Sequence, residues 1–112
     1  MKLPPQFKQI MKQMEKVQKE FEELQKQAES IQATVQVGGG MVEVTANAKG
    51  EVVKVKIEPD LLDPEEKEML QDLIVAGVNA AIKQAREEME KKTAQLLTKF
   101  NLPSFPGMPG LF

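Results

Sequence analysis

The spacing of the first lysines is the feature of this chain that most suggests binding chemistry. Four of them follow one another at intervals of four, four and three residues, which places them on one side of a helix: Lys8, Lys12, Lys16 and Lys19. An ammonium group on a flexible stem suits a phosphate oxygen, so such a row could follow the backbone of a polyanion. A solvated helix face gives the same pattern, and the spacing alone does not separate the two interpretations.

A second group of basic residues lies in the last third of the chain. Its members are Lys83, Arg86, Lys91 and Lys92, and glutamates stand among them at positions 87, 88 and 90. Opposite charges three or four residues apart pair along a helix. Two interpretations therefore stay open for this group, a second binding patch and ordinary pairing within one helix.

The residue types that the chain lacks exclude most catalytic and metal chemistry. Without Cys or His it has no thiolate, and neither the commonest metal ligand nor the commonest general base. The acidic cluster of Asp60, Asp63, Glu65 and Glu66 matches no calcium-loop spacing. The glycines at 38–40 lack the Gly-Lys-Ser/Thr that completes a phosphate loop. We therefore predict no enzymatic activity, no cofactor, no metal and no small-molecule substrate.

A heptad pattern positions the first lysine row. Apolar residues occupy every a and d position of successive heptads, in the order Phe7, Ile10, Met14, Val17, Phe21, Leu24, Ala28 and Ile31. This pattern predicts a coiled-coil helix that begins at Pro4 and Pro5 and ends at about Ile31. Because a single helix cannot bury such a stripe, it must meet the second helix of the chain or another subunit.

Alternating apolar residues after the first helix predict three strands. The apolar positions are Val35 and Val37, then Val42, Val44, Ala46 and Ala48, then Val53, Val55 and Ile57. Glycines at 38–40 and the pair Lys49-Gly50 separate the three runs as turns. In the third strand Lys54 and Lys56 would face away from the valines. Each strand thus has one apolar face, which predicts an antiparallel sheet covered on one side only.

A second long helix is predicted to follow the sheet. Asp63 suits the N-cap and Pro64 the first helical position, and the helix would continue to near Phe100. Gly77 inside this helix costs about 1 kcal/mol against Ala, so we expect another chain segment to pack closely there. The buried side would consist of Leu70, Leu73, Ile74, Gly77, Val78, Ala81, Ile82, Ala85 and Met89.

The order of these elements predicts an α+β fold with a long N-terminal helix, a three-stranded antiparallel sheet and a long C-terminal helix. We expect a single domain over residues 1–101 and a flexible Pro/Gly-rich tail over 102–112. No apolar run is long enough to cross a bilayer, and Lys2 is not followed by the apolar stretch of a signal peptide. We therefore expect a soluble, cytoplasmic protein without a membrane partner.

Charge is distributed unevenly along the chain although the net charge is only −2. Residues 1–19 hold five lysines against one glutamate, and residues 80–112 hold five basic residues against three glutamates, whereas the chain between them is acidic. If the two helices pack antiparallel, the start of the first and the end of the second would lie together. They would form a basic pole suited to a polyanion.

Three sequence segments in this order resemble the YbaB/EbfC family over nearly the whole chain. They read GGGMVEVTANAKG at 38–50, VKIEP at 55–59 and EMLQDLIVAGVNAA at 68–81, and the chain then ends in LPSFPGMPGLF at 102–112. The resemblance implies a homodimer shaped like tweezers that binds DNA and associates with the bacterial nucleoid. It makes the two basic groups the candidate DNA-binding residues.

The sequence contains basic residues but no evident element that would read base edges. We therefore expect contacts mainly to the phosphates of duplex DNA, with little sequence preference. Such binding could change the conformation of the DNA, organise the nucleoid and influence gene expression. Asn47, Asn79, Gln9 and Gln13 could reach a base edge, although structural roles are expected for them. The alternative is a prefoldin-like or other coiled-coil protein-interaction module. A prefoldin-like chain would need a matching heptad seam in the second helix, which instead has a broad Ala- and Gly-rich face.

Overall fold

A computed structural model describes residues 4–99 of the chain. The main elements are α1 (Pro5–Lys26), β1 (Gln32–Val37), β2 (Val42–Asn47), β3 (Val52–Ile57) and α2 (Lys67–Lys99). Short 3-10 turns occupy Gln27–Glu29, Pro59–Leu62 and Pro64–Glu66. The predicted α+β order of helix, three strands and long helix is confirmed.

The chain divides into two compact units. One, the helical unit, contains residues 4–27 and 91–99 of the described part, and the other, the sheet unit, is Ala28–Glu90. The predicted single domain over residues 1–101 stays a prediction, and the predicted tail at 102–112 lies outside the described residues. Within residues 4–99 no helix is long and apolar enough to cross a membrane.

The sheet is antiparallel in the order β1-β2-β3, as the alternating pattern predicts. Val44 of the central strand lies opposite Val35 of β1 and Val55 of β3. A register shift between Thr45 and Ala46 places Val52 opposite Ala46 and leaves Val53 as the extra residue of a bulge. The prediction that Val53 shares a face with Val55 and Ile57 stays a prediction, because the bulge interrupts the pairing at this position.

The core of the sheet unit lies between β2 and α2. Its buried centre consists of Val42, Val44, Ala46, Leu61 and Ala81. On α2, Gly77, Ala81 and Ala85 recur every four residues and are all buried, so a row of small side chains faces the core. Larger apolar residues of α2 pack against the core beside this row, namely Leu70, Leu73, Val78 and Ile82.

Gly77 lies against the side chains of the sheet. A Cβ added at this position would stand 2.7 Å from Cγ2 of Val44 and 3.4 Å from Cγ2 of Val37. Close packing does explain the glycine, and the atoms that approach it are valine methyl groups.

The glycines between β1 and β2 form a tight turn. Gly38 and Gly39 have φ angles of +63° and +67°, in the left-handed region that favours glycine. The N–H of Met41 donates to the carbonyl of Gly38 at 3.3 Å and closes the turn. A Cβ at Gly38 would also meet Cδ1 of Leu73 at 2.8 Å, so α2 packs directly beneath this turn.

The first helix ends earlier than the heptad pattern predicts. α1 ends at Lys26, so the prediction that it reaches Ile31 is wrong. The carbonyls of Ala28 and Ile31 accept hydrogen bonds from the N–H of Ala48, at 3.1 Å and 2.9 Å. Both residues are buried in the sheet unit, so their apolar character serves the sheet instead of a helical stripe.

The start of the second helix follows the expected capping chemistry. Oδ1 of Asp63 accepts a hydrogen bond from the N–H of Glu65 at 3.0 Å, which confirms Asp63 as an N-cap. The capped segment is a 3-10 turn, and α2 itself begins at Lys67, three residues later than predicted. It continues to Lys99, near the predicted end.

Candidate nucleic-acid interface

The lysine row of α1, consisting of Lys8, Lys12, Lys16 and Lys19, is exposed along its whole length. The apolar stripe at Phe7, Ile10 and Met14 lies on the other side of the same helix. At about 100° per residue, the mean directions of the lysine row and of the heptad positions differ by roughly 175°. A partner that contacts the lysines therefore need not touch the apolar stripe.

The helical unit pairs the end of α1 with the end of α2. Nζ of Lys99 lies 3.2 Å from Oε1 of Glu20, and both residues line an open groove with Gln27 and Lys92. Because Gln27 and Lys92 lie where each segment joins the rest of the chain, this pairing runs antiparallel, as expected.

The pairing does not bring the two predicted ends together. The last described residue of α2, Lys99, reaches Glu20, and the first three lysines of the row lie on the preceding turns of α1. Within residues 4–99, the expectation that the start of α1 meets the end of α2 is wrong. The reason is that Pro5, the first residue of α1, lies fifteen residues before Glu20, so Lys99 meets the second half of the helix.

The second basic group is divided between the two units. Lys83 and Arg86 belong to the sheet unit, whereas Lys91 and Lys92 belong to the helical unit. All four are exposed. The group therefore consists of two pairs, one in each unit.

Arg86 has a contact within the protein. Its Nη2 lies 2.8 Å from the position of a Cβ added at Gly50, so the guanidinium packs against the turn between β2 and β3. Lys83 and Arg86 also line an open groove together with Asn79, Ile82, Glu87 and Glu90. Two carboxylates in this groove lower its positive potential, which makes it a weaker anion site than the row on α1.

The turn that receives Arg86 is held by Asn47. Its Oδ1 accepts from the N–H groups of Lys49 and Glu51 at 3.1 Å and 3.0 Å, and its Nδ2 donates to Oε1 of Glu51 at 3.1 Å. The residue is only 4% exposed. Asn47 therefore has a structural role and is not available to read a base edge.

An ion pair beside this turn was not predicted from the sequence. Nζ of Lys49 donates to Oε1 of Glu29 at 2.9 Å, between residues twenty positions apart. The hydrogen bond to Lys49, with the attraction of its charge, lowers the pKa of Glu29, and the same contact raises the pKa of Lys49. The Asn47–Gly50 turn has a local signal in its Asn and Gly, but the distant partner Glu29 has none.

Metal binding has no support in the described part of the chain. Across residues 4–99 no group of three or more acidic side chains is arranged to hold a metal ion. The acceptor Oδ1 of Asp63 is engaged by the backbone of the helix start, which accounts for its place in the acidic cluster. The exposed ammonium groups of the lysines suit the binding of anions.

Comparison with known proteins identifies the family. The model of the YbaB/EbfC DNA-binding family matches residues 1–100. The chain belongs to this family. A nucleoid-associated protein of Moorella thermoacetica is 42% identical to it over 97 residues, which cover 87% of this chain and 93% of that protein. A nucleoid-associated protein of Thermodesulfovibrio yellowstonii is 47% identical over 75 residues, which cover 67% of this chain and 66% of that protein.

The fold has a counterpart among solved structures of proteins similar to this YbaB/EbfC chain. An uncharacterized protein from Helicobacter pylori has a crystal structure with a TM-score of 0.66 and 31% sequence identity. The match covers 81% of this chain and 96% of that one. The resemblance inferred from the three sequence segments is thus confirmed, and the prefoldin-like alternative is not favoured.

Proposed function

We propose that this YbaB/EbfC chain is a nucleoid-associated protein that binds duplex DNA through the lysine row of α1. The observation that carries the proposal is the row itself, four exposed lysines on the side of α1 opposite its apolar stripe. Membership of a DNA-binding family supports duplex DNA as the partner. The names of the relatives support a place in the nucleoid.

The geometry of the row suits the phosphate backbone. Residues four apart on a helix rise about 6 Å along its axis, so the four ammonium groups are spread over roughly 16 Å. Long flexible stems allow each one to reach a phosphate of the backbone, which carries a charge about every 3.4 Å per strand. Contacts of this kind fix the position of a protein but read no sequence, so we infer little sequence preference.

The second basic group has a smaller part in this proposal. Lys83 and Arg86 share their groove with Glu87 and Glu90, and Arg86 packs on the turn at Gly50. Lys91 and Lys92 lie on the other unit, in the part of α2 that pairs with α1. We assign them a supporting role in attracting DNA over a distance, and no catalytic step.

We further propose that the protein acts as a homodimer. In the sheet unit the valines of the edge strand β3 are unusually exposed, with Val52 at 43%, Val53 at 51% and Val55 at 39%. A second copy that covers this strand would remove them from water. Two copies would present two lysine rows to one duplex, and linked binding of this kind raises overall affinity.

The experiment compares two double variants with the same net charge. In one, Lys12 and Lys16 are each replaced by Gln; in the control, Lys49 and Lys67 are replaced by Gln. All four lysines are exposed and none lies on β3, so both proteins are expected to fold and to keep the proposed contact between copies. Affinity for labelled duplexes of unrelated sequence is measured by fluorescence anisotropy over a range of salt concentrations.

We expect the α1 variant to bind more weakly to every duplex, with a salt slope shallower by about one unit per lysine removed. The control variant should keep the slope of the parent protein. Equal losses in the two variants would contradict the assignment to α1, because net charge alone would then explain the result. Failure of the parent protein to bind DNA even at low salt would contradict the proposed function itself.

A further inference from the structure

The apolar stripe at the start of α1 is a surface that the proposed function leaves unused. In the part of the chain that the structure describes, Phe7 is 51% exposed, Ile10 is 54% exposed and Met14 is 66% exposed. Met11, at the edge of the stripe, is 47% exposed. Large apolar side chains on successive turns of one helix form a contiguous patch of the kind that marks an interaction surface.

The stripe continues a seam that is already in use within the helical unit. Further along the same heptad pattern, Val17 and Leu24 are half-buried. Leu24 lines a groove with Leu96, and Lys99 reaches Glu20 beside it. The second half of the seam therefore meets α2, whereas the first half is exposed to a further helix.

The residues beside the stripe favour a second copy of the same chain as that helix. Positions e and g flank the seam of a coiled coil and face the partner helix. With Phe7 at position a, these flanking positions are held by Gln6, Met11, Gln13 and Gln18, and none of them is charged. The four lysines of the row all occupy positions b, c or f, which point away from a partner helix. Two copies can therefore meet without lysines facing each other, although residues 1–19 carry a local charge of +4.

The contact of α2 with the second half of the seam decides the orientation of the two copies. A parallel copy would follow the seam into the part that α2 contacts, whereas an antiparallel copy leaves the seam past the start of α1. In an antiparallel coiled coil the a positions of one helix meet the d positions of the other, so Ile10 of each copy lies opposite Met14 of the other. In this register Glu20 of one copy is level with Pro4 of the other. The described ends of α2, which reach Glu20, therefore stay clear of each other.

The area of this contact sets its strength. Four large side chains that are each about half exposed offer roughly 100 Å² apiece, so two copies bury about 800 Å² in total. An interface of this size is weak and transient. Copies that are held near one another meet at a higher effective concentration, so the contact forms more readily between copies bound to DNA.

We propose that the apolar stripe of α1 is a contact between two copies of this chain, packed antiparallel. Because the stripe and the lysine row lie on opposite sides of α1, the two rows then point outward on opposite sides of the pair. The consequence for DNA rests on the proposed function: the pair holds one duplex on each side and bridges the two. The proposed contact at β3 builds the dimer, and the contact at α1 joins dimers that lie on different duplexes.

The chain has no Cys, so a single introduced cysteine reports on one position of α1. In the antiparallel register the g position Gln13 lies beside Gln13 of the second copy, whereas Gln9 occupies the outward position c. Both glutamines are exposed, so Gln13→Cys and Gln9→Cys form a matched pair of variants. Each protein is treated with a short bismaleimide cross-linker in the absence of DNA, and the products are separated by denaturing electrophoresis. The reaction is irreversible, so it accumulates pairs even from a weak contact.

We expect the Gln13→Cys variant to form cross-linked pairs at least about tenfold faster than the Gln9→Cys variant, because only position 13 lies beside its counterpart. Replacing Ile10 and Met14 by Gln in the Gln13→Cys protein should remove this difference, because the apolar seam is then lost. Equal rates at positions 13 and 9 would overturn the proposal, and so would a rate at position 13 that does not respond to the two replacements. Ile10 and Met14 are both exposed, and circular dichroism spectra check that α1 and α2 are retained.

A second measurement tests the bridging of DNA. One duplex is immobilised, and the capture of a second, labelled duplex is measured with the parent protein and with the variant that carries Ile10→Gln and Met14→Gln. The variant should bind a single duplex with an affinity within about twofold of the parent, because the lysine row is intact, but it should capture severalfold less of the second duplex. Equal capture by the two proteins would overturn the bridging role. A parent protein that binds no DNA would instead contradict the proposed function, and the cross-linking result, which uses no DNA, would still decide the contact at α1.

Discussion

Replacing Gly77 by Ala tests whether the contact with Val44 sets the position of α2. The added Cβ would lie 2.7 Å from Cγ2 of Val44, which is closer than carbon atoms pack. Val44 is 0% exposed, and its β-branched side chain is stiff, so this methyl group cannot simply move aside. The same substitution removes a glycine from the interior of a helix, and that change by itself favours folding.

The two effects have opposite signs, and their sizes can be compared. Ala stabilises the helix over Gly by about 1 kcal/mol. Overpacking a close-packed core costs about 1–3 kcal/mol, so the net result is a loss of roughly 1 kcal/mol in the free energy of unfolding. When Val44 is first replaced by Ala, Cγ2 is gone, and the nearest remaining atoms lie at 3.4 Å and 3.6 Å, in ordinary contact. Gly77→Ala should then stabilise the protein by about 1 kcal/mol, which makes the coupling roughly 2 kcal/mol.

The assay is urea unfolding of four proteins, the parent, each single variant and the double variant, followed by far-ultraviolet circular dichroism. All four are compared at one protein concentration, because self-association would make the apparent stability depend on it. A change of sign between the two backgrounds is the expected result. If Gly77→Ala has the same effect with and without Val44, the methyl contact does not set the packing, and the reasoning fails.

Two further predictions concern the turns. Gly38→Ala should destabilise the protein more than Gly39→Ala. Both glycines have positive φ, but a Cβ at Gly38 would meet Leu73, whereas a Cβ at Gly39 meets nothing within 4 Å. Equal losses in the free energy of unfolding, measured in urea, would contradict this prediction. Lys49→Met should raise the pKa of Glu29 toward its ordinary value, since the hydrogen bond and charge of Lys49 lower it. The contribution of Glu29 to stability is therefore present above its unfolded-state pKa and is lost as the pH falls through the lower folded-state value. An unchanged Glu29 pKa in the Lys49→Met variant, measured by a carboxyl-carbon NMR titration, would contradict the assignment.

Much of the sheet and the second helix could be predicted because their signals are local. Alternation over β1 and β2, the glycine turn and the Asp63 cap each depend on neighbouring residues, and the structure contains all of them. The end of α1 could not be predicted in this way. Ala28 and Ile31 fit the heptad, but an apolar residue is equally suited to the interior of the sheet unit. The hydrogen bonds from the N–H of Ala48 to their carbonyls place both residues in the sheet unit and not on the helix.

The candidate interface shows the same division. The exposure of the first lysine row follows from helical spacing, which the sequence contains. Three other contacts depend on distances between separate segments of the chain. They are the packing of Arg86 on Gly50, the ion pair of Lys49 with Glu29 and the ion pair of Lys99 with Glu20. The bulge at Val53 likewise arises from how β3 pairs with β2. Such relations have no periodic signature in a single sequence.

The small side chains that α2 turns toward the sheet affect its motion as well as its packing. Gly77, Ala81 and Ala85 have no side-chain rotamers, so fixing this row of the helix loses almost no side-chain conformational entropy. Contacts along the row are made by atoms close to the backbone and cannot relax through rotamer changes, whereas Leu73 and Ile82, which also pack against the core, have rotamers. The long side chains on the exposed faces of α2, such as Lys83 and Glu87, can change conformation in water without moving the helix on the sheet.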